Sequence, residues 1–107
     1  MSAERLKGNL DLLLLATVGA GAAHGYAIAE SLRQRSDGVF DLPEGTIYPA
    51  LHRLERAGWL RSAWREQEGR RRRVYEITGK GRRELDRQRE AWGAFARAVR
   101  AIAGNPS

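Results

Sequence analysis

Pro43-Glu44-Gly45-Thr46-Ile47-Tyr48-Pro49-Ala50-Leu51-His52-Arg53-Leu54-Glu55-Arg56-Ala57-Gly58-Trp59-Leu60 is the stretch on which the fold turns. Ile47, Ala50, Leu51, Leu54 and Ala57 recur at helical spacing and mark one face for a core. Pro49, His52, Arg53 and Arg56 project away from that stripe, and Thr46 and Tyr48 lie on its flanks. Gly58 supplies a C-terminal stop. Proline is tolerated in the first helical turn but costs ~3 kcal/mol or more further inside. Pro49 therefore predicts a helix that begins near Thr46, with Thr46 as its N-cap and Pro43 to Gly45 as a preceding turn. A short helix with hydrogen-bonding and cationic groups on its outer face suits the major groove of DNA. Taken alone, the same face serves equally well as a solvated surface.

Upstream, Leu6, Leu10, Leu13, Leu14 and Val18 trace one helical face, which Leu12 and Leu15 widen. A helix so apolar requires cover on both sides, from its own domain and from a second subunit. Gly19 and Gly21 end it. Arg5 and Lys7 ahead of Leu12 to Ala23 superficially imitate a secretory leader. Asn9 and Asp11 interrupt that pattern, and the run is shorter than the ~20 residues that span a bilayer. A second helix runs from His24-Gly25-Tyr26 to about Arg35, with Ile28, Ala29 and Leu32 inward, and Ser36-Asp37-Gly38 closes it. His24 reads as a hydrogen-bonded structural residue, since His52 is too far along the chain for a shared metal.

Downstream of Gly58 the period changes. Trp59 to Glu66 and Arg72 to Ile77 read as two strands joined around Gly69, a hairpin whose tip carries Arg70, Arg71, Arg72 and Arg73. Four neighbouring guanidinium groups repel one another unless a polyanion neutralises them, and arginine's planar fork suits phosphate oxygens. A merely solvated charge run is the alternative. Thr78 is placed to cap a last helix reaching about Ala103, roughly 37 Å at 1.5 Å per residue. Leu85, Gln88, Trp92, Phe95, Val99 and Ile102 repeat in threes and fours like a coiled-coil seam. A body this small does not need so long a helix, so its C-terminal half is expected to pack on another chain. Gly104 to Ser107 form a tail.

Composition agrees. The chain has 107 residues, no cysteine, and a net charge of +6 from 19 Lys+Arg against 13 Asp+Glu. Such a basic balance favours a polyanionic partner. The absence of cysteine excludes a disulfide scaffold and thiolate metal sites, and is compatible with the cytoplasm. No carboxylate pair with a pocket, nucleophile with a matched base, or phosphate-cradling glycine loop points to an enzyme, and no cofactor is implied. A winged helix that docks protein, or a binder of RNA, stays open as an alternative to a binder of double-stranded DNA.

The sequence resembles the PadR family of bacterial transcriptional regulators. The resemblance rests on His24-Gly25-Tyr26 with Ile28, on Glu44 to Glu55 with Gly58, and on Gly69-Arg70 through Tyr75 with Ile77, Thr78 and Gly81. Pro43 stands where the family usually has a serine or threonine cap, and Arg71 where a proline commonly stiffens the wing. The resemblance implies a mainly α fold with a small β-hairpin. Residues 1–78 would form a winged helix-turn-helix, and residues 79–107 a dimerising helix and tail, as in the short subfamily. It further implies a homodimer that represses transcription from a pseudo-palindromic operator until a small molecule releases it, and a cytoplasmic location is expected. DNA contacts are expected from Thr46, Tyr48, Pro49, His52 and Arg53 and from Arg70 to Arg73. A planar aromatic effector is expected on Trp92, with Leu15 and Phe95 as apolar walls.

Overall fold

A computed structural model describes residues 3–105, with the side chains of residues 3–8 outside that description. The expected contribution of Leu6 and the end of the tail, Pro106 and Ser107, therefore lie outside the described residues. In chain order the elements are α1 (Ala3–Ala20), β1 (Ala23–His24), α2 (Gly25–Arg35), α3 (Glu44–Arg56), β2 (Leu60–Gln67), β3 (Arg70–Ile77) and α4 (Gly79–Ala103). The three strands form an antiparallel sheet in the order β1-β3-β2. The hairpin of β2 and β3 was expected; β1 was not. It pairs Ala23 with Tyr75 and His24 with Val74, so what reads as a small-residue turn also seals the free edge of β3 beside the body.

One core gathers the apolar stripe of every helix. Leu10, Leu14, Leu15 and Val18 of α1, Ile28 and Leu32 of α2, and Ile47, Leu51 and Leu54 of α3 meet Leu60, Tyr75 and Ile77 of the sheet and Leu85 of α4. The 3.6-residue period of α3 thus buries the expected face, although Ala57 is only half-buried. Leu85 belongs to this core at 3 % exposure. It is not part of a free seam, because the first turns of α4 lie against α1 and the end of β3.

Close backbone approach fixes where α4 departs. A Cβ added to Gly81 would stand 2.0 Å from the Trp59 carbonyl oxygen, so only glycine fits there. Thr78 caps the helix as expected: its Oγ1 accepts from the Gly81 N–H (3.0 Å) and donates to the Gly58 carbonyl (2.6 Å). The Lys80 ammonium donates to the Ala57 carbonyl (2.9 Å), which ties the C-terminal end of α3 to the start of α4. Beyond Gln88 the helix leaves the body. Trp92, Phe95, Val99 and Ile102 are 46, 60, 45 and 90 % exposed. No helix among the described residues is long and apolar enough to cross a membrane.

Candidate nucleic-acid interface

α3 starts two residues earlier than Pro49 led us to expect. Its N-cap is Pro43, extended at φ −73° and ψ 157°, with no side-chain cap bond. Thr46 is therefore not the cap: it is the third helical residue, half-buried, with its N–H on the Pro43 carbonyl (2.9 Å). Pro49 falls in the second turn, where its missing N–H leaves the Gly45 carbonyl without the usual helical donor. Gly45 is exposed, so water can satisfy that carbonyl. Pro49, His52 and Arg56 are exposed on the outer side. Tyr48 is half-buried because its ring lies against Gly25, where an added Cβ would come within 2.5 Å of the ring. The glycine of His24-Gly25-Tyr26 thus makes room for the tyrosine of α3.

Arg53, expected as a DNA contact, is engaged within the protein. It donates from Nη2 to Asp11 Oδ1 (2.6 Å) and from Nη1 to Asp11 Oδ2 (3.0 Å), a two-bond clasp between α3 and α1. The hydrogen bond and charge of Asp11 hold the guanidinium above its ordinary pKa. The side chain remains about half exposed.

The four wing arginines do not form a loop. Glu68 and Gly69, at φ 53° and 73°, make a two-residue turn, and the ladder closes as far as Gln67 opposite Arg70. Arg70 to Arg73 are consequently strand residues that alternate between the two faces of β3. Arg71 and Arg73 share a face with Trp64, their guanidinium carbons 5.1 and 5.6 Å from its ring centroid. Arg73 also reaches Glu55 of α3 at 3.6 Å, and Ser62 donates to that carboxylate at 2.7 Å. On the opposite face Arg72 stands directly across from Arg65. Two like charges in register are unfavourable without a counter-anion. The Arg72 Nε is buried with no hydrogen-bond partner among the described residues.

Between α3 and the wing lies a cleft of about 310 Å³ lined by His24, Tyr48, His52, Trp64, Arg71, Arg72, Arg73 and Tyr75. It brings together Tyr48, His52 and Arg71 to Arg73 of the residues expected at a DNA surface and adds the side chains of His24, Trp64 and Tyr75. Trp64 joins because the strand register sets it across from Arg73, whereas Arg65, across from Arg72, lies outside the cleft. His24 joins because β1 lays it against β3. Its Nδ1 accepts from the Ala27 N–H (3.2 Å), and burial, then the Arg72 charge, push its pKa down while Glu68 opposes them. The structural role expected for His24 is therefore present, at the edge of the cleft. Burial and the nearby Glu55 carboxylate push the Tyr75 hydroxyl up. Among the described residues, no cluster of three or more histidine, aspartate and glutamate side chains could hold a metal ion.

A second groove, of about 430 Å³, runs between α1 and α4 and is lined by Asp11, Leu12, Arg87, Gln88, Trp92 and Phe95, among others. The Trp92 and Phe95 rings lie 5.7 Å apart at 31°. Leu15 does not line it. With no exposed surface, Leu15 points into the core of its own protomer, and the apolar wall beside Trp92 is Leu12. Leu15 stands only about 60° around α1 from Leu12, and that offset turns it from the groove into the core.

Three helices, a wing with guanidinium groups on both faces, and an outward-facing α3 define the winged helix-turn-helix class, here extended by a long C-terminal helix. The model of the PadR-like family of transcriptional regulators matches residues 14–87. The chain belongs to that family. It is 41 % identical over 76 residues to the transcriptional regulator Rv3488 of Mycobacterium tuberculosis, a match covering 71 % of this chain and 68 % of the relative. Among solved structures, a transcriptional regulator from Clostridium thermocellum superposes with a TM-score of 0.86 at 27 % identity, covering 96 % of this chain and 98 % of the other. A PadR family transcription regulator from Clostridium difficile gives 0.81 at 29 % identity, covering 91 % and 100 %.

Proposed function

We propose that this PadR-family regulator acts as a homodimer that binds double-stranded operator DNA and represses transcription until a planar aromatic ligand enters the groove beside Trp92. The observation that carries the reading is the single cleft in which the outer side of α3 meets the guanidinium groups of the wing. A helix can enter the major groove while arginines on an adjoining hairpin reach the phosphate backbone. Tyr48, Pro49 and His52 meet the base edges, Thr46 stands on their flank, and Arg53 takes its position from Asp11. Arg70 to Arg73, joined by Arg65, meet phosphate, which relieves the repulsion between Arg65 and Arg72. Residues 1–78 then serve as the DNA-binding part and residues 79–107 as the dimerising part. In the dimer, the exposed seam of α4 packs on a second copy and sets two recognition helices about one DNA turn, ~34 Å, apart. Trp92, Phe95 and Leu12 hold the effector.

Salt dependence tests this reading, because each phosphate contact releases counterions. Replacing Arg70 to Arg73 together by alanine is expected to weaken binding to all DNA sequences alike and to flatten the slope of log affinity against log salt by about one unit per lost contact. A slope unaltered by the fourfold replacement would remove the wing from the interface. A wild-type protein without salt-dependent DNA affinity would overturn the proposal itself.

A further inference from the structure

The Asp11 carboxylate belongs to two places at once. It lines the groove that contains Trp92 and Phe95, and both of its oxygens are held by Arg53 of the recognition helix, at 2.6 and 3.0 Å. The two residues are 42 positions apart in the chain, so the clasp joins α1 to α3 rather than bracing one element. Arg87, the guanidinium that lines the same groove, is already held by Glu84, whose carboxylate also accepts from Gln88 at 2.7 Å. Glu84 is thus committed within α4, whereas Asp11 is committed to α3.

Resting on the function proposed above, we infer that the Asp11–Arg53 pair is the coupling element between the Trp92 groove and the recognition helix, with Asp11 as a positioning residue for DNA binding. Arg53 is about half exposed, and ion pairs so open to water contribute little to folding. What the two-bond geometry does supply is direction: it holds the guanidinium at one place on the outer side of α3. A cation that settles on the rings of Trp92 and Phe95 competes with Arg53 for the same carboxylate. It thereby frees Arg53 and alters the surface that α3 presents. A neutral molecule of the same shape has no such claim on Asp11. By linkage, operator binding that requires the pair must in turn disfavour the cation by the same factor.

The test uses the full-length protein and a DNA site selected by the wild type from a random pool, with binding read by anisotropy of the labelled duplex. Asp11→Asn and Arg53→Gln are each expected to lower affinity for the selected site about tenfold, and the double variant no further, because both break one clasp. Affinity for unrelated DNA and the melting temperature should change little in Asp11→Asn, which separates positioning from a structural role. Next, 1-methylquinolinium, a planar cation, is expected to weaken operator binding by wild type, while its neutral parent quinoline is not, and Asp11→Asn should abolish the difference. Asp11→Asn binding the selected site as well as wild type does, or binding all DNA more tightly through a freed Arg53, overturns the inference. So do fully additive losses in the double variant, or equal effects of the two quinolines. Each of these failures presupposes wild-type DNA binding; its absence would instead sink the function on which the inference rests.

Discussion

Leu85 and Phe95 stand on one seam of one helix, yet they meet opposite fates. Leu85 is closed off by α1 and the end of β3, while Phe95 is 60 % exposed, Ile102 more so, and Trp92 and Val99 nearly half. The first turns of α4 are part of the body, held by the Thr78 cap, the Lys80 bond and the Gly81 contact. The rest is an arm that presents the same kind of surface to water. A periodic apolar stripe therefore marks a face suited to burial, but does not say whether its own chain buries it.

The sharpest way to break the comparison is to make the arm polar. Replacing Phe95 and Val99 together by aspartate removes side chains whose burial is worth ~1.5 to 3 kcal/mol each. The expected outcome is a monomer in sedimentation at micromolar concentration, with the unfolding of the body little altered. A dimer that survives both changes would show that another surface holds the two copies. Next in size, Leu54→Ala in the body, where no surface is exposed, is expected to cost ~2 to 5 kcal/mol in denaturant unfolding. It should do so without the selective loss of the dimer that marks the arm. At the border between the regions, Thr78→Ala removes one cap and is expected to cost ~1 kcal/mol, seen as a lowered melting temperature. A much smaller loss would mean that the Gly81 contact and Lys80 hold the junction without the cap.

The smallest effect concerns pH. The folded-state pKa of His24 lies below its ordinary value, so the folded protein favours the neutral ring that caps α2 through Nδ1. Its contribution is complete above the ordinary histidine value of ~6.5 and is lost as pH falls through the lower folded value. Unfolding midpoints measured across that window should fall less in His24→Asn, which keeps an acceptor at the cap and has no proton to gain. Equal pH dependence in both proteins would assign the effect to other groups.

What could be read in advance followed from period and local chemistry. Ile47, Ala50, Leu51 and Leu54 identified α3, and Thr78 identified the start of α4, because neighbours in sequence are neighbours on a helix. The start of α3 lies ahead of the sequence expectation because Pro49 is accepted in the second turn rather than the first. Gly45, four residues before Pro49, is exposed, which lets water replace the missing donor of a second-turn proline. The hairpin around Gly69 was legible, but its two-residue turn was not, because Glu68 holds a positive φ of 53°, a position where asparagine, aspartate or glycine is the usual sign. That hid the strand character of Arg70 and Arg71, which extend the strand read from Arg72 onward. β1 has two residues and a partner some fifty positions away, too short for any periodicity to register. The Asp11–Arg53 clasp and the burial of Leu15 depend on how α1 is rotated against α3, which no local pattern encodes.

The Gly81 contact gives the molecule a fulcrum. At Gly81 the backbone of α4 meets the Trp59 carbonyl directly, with the Ile77 side chain beside it, so a tilt of the arm would turn about this contact. From Gly81 to Ala103 it extends ~33 Å at 1.5 Å per residue, so a tilt of only ~5° at the pivot sweeps the far end by ~3 Å. In a dimer joined through that far end, the same tilt is passed to the other protomer. A methyl group at position 81 would then work as a wedge under a lever, with its effect read at the spacing of the two recognition helices rather than at the pivot.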